Sequence, residues 1–303
     1  MQRFPKFTLP QELTSHGSPT NSAAQPGGEL ADRVAFALDL AACASEITLR
    51  YFRTSEYRVE RKSDRSPVTA ADKEAEQAVR RMVAERFPLD SILGEEFGSS
   101  GGTSEYEWII DPIDGTKSFI SGVPLYSTLV GMTFRGTPTL GVIAIPALGE
   151  ICLAAKGLGA WYASASVGDQ AKPIVLRRTV VSATPSLTDG LFLTSQVDNF
   201  ERRLAMSAYS ELERQAYVTR SWGDGYGYLL VATGRAELMV DPIVNPWDVA
   251  AVAPIIEEAG GRFTSWSGEL DIRAGHCLAS NGLVHQAALS CLRPFSQNKM
   301  HDA

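Results

Sequence analysis

The chain has 303 residues, 44% hydrophobic and 21% charged, with a formal net charge of -7. This is ordinary globular composition, with length for one large domain or two packed halves. The acidic balance speaks against a nucleic-acid partner, whose faces are basic, but not against a phosphate substrate, because a bound divalent cation supplies local positive charge.

Cys43, Cys152, Cys277 and Cys291 are far apart with no CxxC pair, and the four histidines form no HxH or HExxH. Neither a disulfide framework nor a zinc site is indicated. No stretch approaches the ~18 apolar residues of a membrane span, so no membrane partner is expected. With no apolar signal segment, a cytoplasmic location is expected.

In chain order, residues 1–28 are rich in Pro, Ser, Thr, Gln and Gly without a period, and read as a flexible leader. Glu12 and the shortage of arginine speak against a transit peptide. Apolar residues from Leu30 to Ile47 predict a helix over about 29–52. The polar run 58–68 is expected as a short hairpin or extended loop. A second helix should cover 70–87, stopped by Pro88. Strands are expected at 91–93, 108–110, 126–133 and 138–145, with antiparallel continuations at 150–155 and 159–162. A polar stretch follows at 164–179.

Beyond it come a strand at 191–195, a helix at 200–213, a helix at 225–233 and a strand at 236–240. Pro246 leads into an apolar helix over 247–259, ended by Gly260-Gly261. Runs of strands with helices between them indicate an α+β layered sandwich and not a regular βαβ repeat. Residues 29–295 are expected as a single domain of two packed halves, about 29–185 and 186–295. GxGxxG and GxxxxGK[ST] are absent from the sequence, which removes nucleotide-fold readings.

The central motif is Trp108-Ile-Ile-Asp111-Pro-Ile-Asp114-Gly115-Thr116. A β-branched run delivers Asp111 to a strand end, which Pro112 is expected to terminate because it has no N–H to donate. Asp114 follows on a tight turn. Carboxylates that close repel one another unless a cation lies between them. Mg²⁺ takes oxygen ligands, commonly one or two carboxylates plus substrate phosphate, and the Ile113 carbonyl is a further candidate ligand. Gly115 and Thr116 amides at a helix start offer donors to phosphate. Asp-Pro and Asp-Gly are also ordinary turn formers; it is their combination after a buried strand that is specific.

Three weaker signals accompany it. Gly94-Glu95-Glu96 is either a solvated acidic loop or a strand-end ligand, and extended geometry lets only one glutamate face a metal. Asp248, in Asn245-Pro-Trp-Asp248, is either a first-turn helix carboxylate or a ligand. Thr69-Ala-Ala-Asp72 fits a capping box, and Asp72 also suits a general base that orients and deprotonates a water.

The blocks VTAAD (68–72), GEEFG (94–98), WIIDPIDGTKSF (108–119) and NPWDVAAVAPIIEEAGG (245–261) resemble the inositol monophosphatase family, in its order and at its separations. The resemblance runs from about residue 30 to 290. It implies an α/β/α/β/α sandwich of the inositol monophosphatase and fructose-bisphosphatase type. It also implies a homodimer, lithium inhibition and phosphate monoester hydrolysis by a metal-activated water. Carried over, Glu95, Asp111 and the Ile113 carbonyl would hold a first Mg²⁺, and Asp111, Asp114 and Asp248 a second. The site would take two or three Mg²⁺, with Mn²⁺ an alternative. Gly115 and Thr116 would contact phosphate, and Asp72, Thr116 and Glu95 would serve catalysis.

Within the family, residues 113–131 and 221–248 are most similar to the histidinol-phosphate phosphatases of histidine biosynthesis. Histidinol phosphate carries an ammonium and an imidazole, so Asp224 and Asp241 are candidate partners for its cationic groups, and Asn245 is either a turn residue or a substrate donor. Trp222 and Tyr226 are either cation–π partners or core and interface residues. The alternatives are inositol 1-phosphate or another small polyol phosphate. Fructose bisphosphate and nucleotide 3′-phosphates would require extra basic residues, and none clusters near the motifs, although Lys117 and Arg220 stay open. A non-catalytic relative should have lost a ligand, and every carried-over position is intact.

Overall fold

The computed structural model describes residues 4–10, 13, 27–54, 59–61, 67–165 and 173–298. Two sheets carry the fold. The larger consists of β1 (Ser91–Gly94), β2 (Gly98–Ser100), β3 (Tyr106–Asp114), β4 (Ser127–Phe134), β5 (Thr137–Ile145), β6 (Glu150–Ala155), β7 (Gly159–Ser164) and β8 (Arg177–Thr179). Its order is β8-β7-β6-β5-β4-β3-β1-β2, and only β1 and β3 pair in parallel.

The smaller sheet consists of β9 (Leu191–Leu193), β10 (Val218–Arg220), β11 (Leu238–Asp241), β12 (Arg262–Thr264) and β13 (Cys277–Ser280), in the order β10-β9-β11-β13-β12.

The helices fall into three layers, because strand side chains alternate between faces. Trp108 and Ile110 of β3 face outward, toward α1 (Gly27–Tyr51) and α2 (Ala70–Arg86). Ile109 faces inward. There it meets the middle layer, which includes α6 (Asp224–Ala232), α7 (Pro246–Val249) and α8 (Val252–Glu258). A short α3 (Thr116–Ile120) follows β3 directly.

On the small sheet Met239 faces the same middle layer, while Leu238 and Val240 face α4 (Asp198–Arg202), α5 (Met206–Gln215) and α9 (His285–Leu292). The α/β/α/β/α sandwich is therefore present. Among the described residues no helix is long and apolar enough to cross a membrane.

Four sequence expectations change, one of them the helix expected over 200–213, which forms as two, α4 and α5. Part of the expected leader packs on the core: Phe4 and Leu13 are buried, and Phe7–Thr8 pairs with Ile174–Val175. Phe4 and Phe7, with rings 5.4 Å apart, supply apolar surface that the overall polarity of the segment conceals. The rest of the leader lies outside the described residues. At 58–68 the hairpin form holds, with Val59–Arg61 antiparallel to Pro67–Thr69; its connection, like the Thr69 side chain of the expected capping box, lies outside the described residues.

The single helix expected over 247–259 is two, α7 and α8, because Pro254 has no N–H for the Ala250 carbonyl four residues earlier. At that break the layer lies close against the large sheet: a Cβ at Gly141 would lie 1.9 Å from the Ala251 oxygen.

Finally, Pro112 does not end its strand. β3 runs on to Asp114 through a bulge, in which Asp111 pairs with Leu129 and Asp114 with Ser127. Three steps on β3 thus oppose two on β4. The extra residue is where a proline is tolerated in a sheet, and it turns Asp111 and Asp114, which regular alternation would send to opposite faces, toward the same face.

Candidate active site

The bulge and the start of α7 bring Asp111, Asp114 and Asp248 together, with one carboxylate oxygen from each within 4.8 Å of the others. Asp111 and Asp114 are 2% and 8% exposed. Burial holds the Asp111 carboxyl well above its usual range, and Glu95, Asp114, Asp248 and Asp72 push it higher still. Asp114 is raised by burial and by Asp224 and Asp248, against the pull of two donors on Oδ2, the Ser127 hydroxyl and the Gly225 N–H, each at 2.5 Å. Burial pushes Asp248 up to about 8, offset by the Asn245 N–H and reinforced by Glu95, Asp224 and Asp241.

An all-oxygen cluster with acids forced together is the donor set a hard divalent cation takes, and such a cation would reverse each of these shifts. Asp248 is a first-turn helix carboxylate whose Oδ2 accepts the Asn245 N–H at 2.7 Å, and it also contributes an oxygen to the cluster.

The remaining predicted residues surround this cluster. Glu95 lies outside the tight trio but lines the same cleft, on the turn between β1 and β2. Asp72, 1% exposed in the first turn of α2, acts electrostatically on Asp111. Ile113 is fully buried, its carbonyl accepting from the Thr116 hydroxyl at 3.2 Å and its N–H donating to Asp111 Oδ1 at 3.1 Å. Gly115 has φ +83°, and a Cβ there would stand 2.6 Å from Asp224 Oδ2, so the position admits only glycine.

The cleft has a volume of about 300 Å³, room for a small ester. Asp224 and Asp241 both line it. Burial and Asp241 raise Asp224 to about 6, against Ser195 and Lys117. Asp241 is also raised by burial, but four donors answer it: Ser195 N–H at 2.8 Å, the Ser195 hydroxyl at 2.9 Å, the Tyr228 hydroxyl at 2.7 Å and the Thr194 hydroxyl at 3.4 Å. Asn245 is exposed at the N-cap of α7 and is not among the cleft-lining residues. Trp222 is 42% exposed with the Arg220 guanidinium 6.0 Å from its ring centre, and Tyr226 packs against the middle-layer core.

Sequence reasoning missed the polar rim. Ser195, Gln196, Asn199 and Ser221 line the cleft from the small-sheet side, and Gln196 Oε1 accepts from Lys117 Nζ across its mouth. The signal available was position: Ser221 follows β10 directly and Ser195 follows β9 after one residue, where open sheets gather their binding residues.

Comparison with known proteins agrees with this geometry. Residues 29–298 match the model of the inositol monophosphatase family. A histidinol-phosphatase of Chlorobaculum parvum is 42% identical over 244 residues, covering 80% of this chain and 90% of that protein. One from Mycobacterium tuberculosis is 38% identical over 261 residues, covering 86% and 98%. The solved structure of an inositol monophosphatase from Anabaena superposes with a TM-score of 0.72 at 30% identity, covering 88% of this chain and 97% of that one. The chain belongs to the inositol monophosphatase family.

Proposed function

We propose that the protein is a Mg²⁺-dependent phosphate monoester hydrolase that converts histidinol phosphate to histidinol and phosphate. The observation that carries the hydrolase reading is the trio Asp111, Asp114 and Asp248, whose oxygens are held within 4.8 Å against their mutual repulsion. Glu95, Asp111, the Ile113 carbonyl, Asp114 and Asp248 would hold two or three Mg²⁺, with Mn²⁺ as the alternative. Bound there, the metal supplies Lewis-acid charge at the phosphoryl oxygens and acidifies a water.

The rest falls to the chain. The Gly115 and Thr116 amides, at the head of α3, hold the phosphate. The Thr116 hydroxyl, anchored on the Ile113 carbonyl, keeps acceptor capacity for the attacking water, and Asp72 orients that water and takes its proton. Asp224, beside Gly115 and less fully hydrogen-bonded than Asp241, meets the cationic end of the substrate. Asp241 and Asn245 act at one remove, Asp241 by fixing Ser195 beneath Asp224 and Asn245 by aiming Asp248.

The histidinol-phosphatase relatives support this substrate. Cytoplasmic histidine biosynthesis, a homodimer and lithium sensitivity belong to the same proposal. Phosphate release from histidinol phosphate and inositol 1-phosphate, measured side by side, tests it. Higher kcat/KM on histidinol phosphate is expected, with activity lost in EDTA. Comparable or better turnover of inositol 1-phosphate would sink the substrate assignment.

A further inference from the structure

Glu95 sits on a three-residue tip between Gly94 and Gly98, which pair with one another across β1 and β2. A tip of that kind is mobile unless something holds it, and a metal ligand on it would have to be ordered at each binding event. What lies beneath it is Glu76, from the middle of α2. Its side chain has no solvent exposure. Oε2 accepts the Glu96 N–H at 2.7 Å, and Oε1 accepts the Phe97 N–H at 3.2 Å and Arg80 Nε at 2.7 Å. Arg80 in turn donates to the Gly98 carbonyl and, at 3.2 Å, to the Ser100 hydroxyl.

On the C-terminal side of Glu95, the Glu96 and Phe97 N–H groups and the Gly98 carbonyl are therefore tied to one ion pair. The fit is tight from the other side too: a Cβ at Gly94 would lie 2.1 Å from Glu76 Oε1. Asp72, Glu76 and Arg80 are spaced four apart and so share one stripe of α2. The stripe places the water-side carboxylate Asp72 and the support of Glu95 on a single rigid element.

We propose that Glu76, with Arg80 as its counter-ion, is a positioning residue that presets Glu95 for Mg²⁺ and fixes its placement relative to Asp72. This rests on Glu95 being a metal ligand, as proposed above. Residues that support metal ligands typically tune affinity by about 10–100-fold, and Glu76 should do the same.

The test compares the full chain with Glu76→Gln, Arg80→Met and Glu95→Gln. Calorimetric Mg²⁺ titration and the metal-free Tm are measured together, alongside the Mg²⁺ concentration for half-maximal phosphate release. Glu76→Gln should weaken Mg²⁺ binding about 10-fold and raise the half-maximal concentration in parallel, with kcat recovering at saturating Mg²⁺. Arg80→Met should follow in the same direction, and it carries the test if Glu76→Gln does not fold.

A lowered Tm with unchanged Mg²⁺ affinity in the variants at 76 and 80, while Glu95→Gln binds Mg²⁺ more weakly, would overturn the positioning role alone. Unchanged affinity in Glu95→Gln would overturn the ligand assignment and this proposal with it.

Discussion

The two acidic walls of the cleft manage their charge in opposite ways. On one wall Asp111, Asp114 and Asp248 are crowded within 4.8 Å, and the neighbours that act most on Asp111 are other carboxylates. On the other, Asp241 is as deeply buried, yet Ser195, Tyr228 and Thr194 surround its oxygens with donors. The first wall has donors too, on Asp111, Asp114 and Asp248, but they leave its carboxylates facing one another, which is the arrangement a cation would stabilise. The second is complete in itself, a carboxylate whose ionised form is hydrogen-bonded. Burial of an acid does not by itself mark a metal ligand; what discriminates is who answers the charge.

The contrast can be broken most severely at Asp111. Asp111→Asn should reduce kcat/KM by on the order of 10³-fold, since several kcal/mol of transition-state charge stabilisation passes through the metal cluster. Phosphate-release kinetics at saturating Mg²⁺ check this, with circular dichroism showing an unchanged fold. Between the walls, Asp224→Asn should lower kcat/KM for histidinol phosphate by about 10–100-fold, the worth of one hydrogen bond to a charged group. Inositol 1-phosphate should change by no more than about 3-fold, because it presents only hydroxyls to that position.

A smaller effect of opposite sign is expected at Asp248. Its folded carboxyl, at about 8, stands above the ordinary value of 3.8, so the metal-free folded protein binds protons that the unfolded chain releases. That stabilisation is complete below the unfolded value and lost as pH rises through the folded one, so Tm in EDTA should fall between about pH 5 and pH 8, and Mg²⁺ should flatten the curve. Asp248→Asn, measured at the upper end of that range without metal, should raise Tm by about 2 °C while abolishing turnover.

The smallest effect belongs to the satisfied wall. Tyr228→Phe removes one of the donors to Asp241 and should lower stability by about 1–2 kcal/mol by denaturant titration, with Mg²⁺ affinity unchanged.

These two walls also differ in how much of them the sequence disclosed. The metal wall was legible because its chemistry is local: Asp111-Pro-Ile-Asp114 supplies two acids and the bulge that turns them together, and Asn245-Pro-Trp-Asp248 supplies a helix start with its acid. Even so, Pro112 read as a terminator and Pro254 went unnoticed as a helix break, since proline acts through a partner carbonyl or strand that the sequence does not display.

The other wall is assembled from positions distant in sequence. Ser195 and Gln196 follow β9, Ser221 follows β10, and they meet Lys117 only because β3 and the small sheet face one middle layer. Asp224 and Asp241 were found by resemblance and chemistry, but only contacts distinguish the partly answered carboxylate from the saturated one. Glu76 carried no motif at all, being one glutamate among many on a polar helix until the turn it supports was in place.

The most direct measurement is calorimetric titration of the metal-free protein with Mg²⁺ in buffers of different ionisation enthalpy near pH 7. Crowded, partly protonated carboxylates must release protons to take the cation, so the heat should vary with buffer in the wild type and in Asp241→Asn, and binding should be lost in Asp111→Asn. Mg²⁺ binding that is independent of buffer and survives Asp111→Asn would contradict the assignment of the metal to this wall.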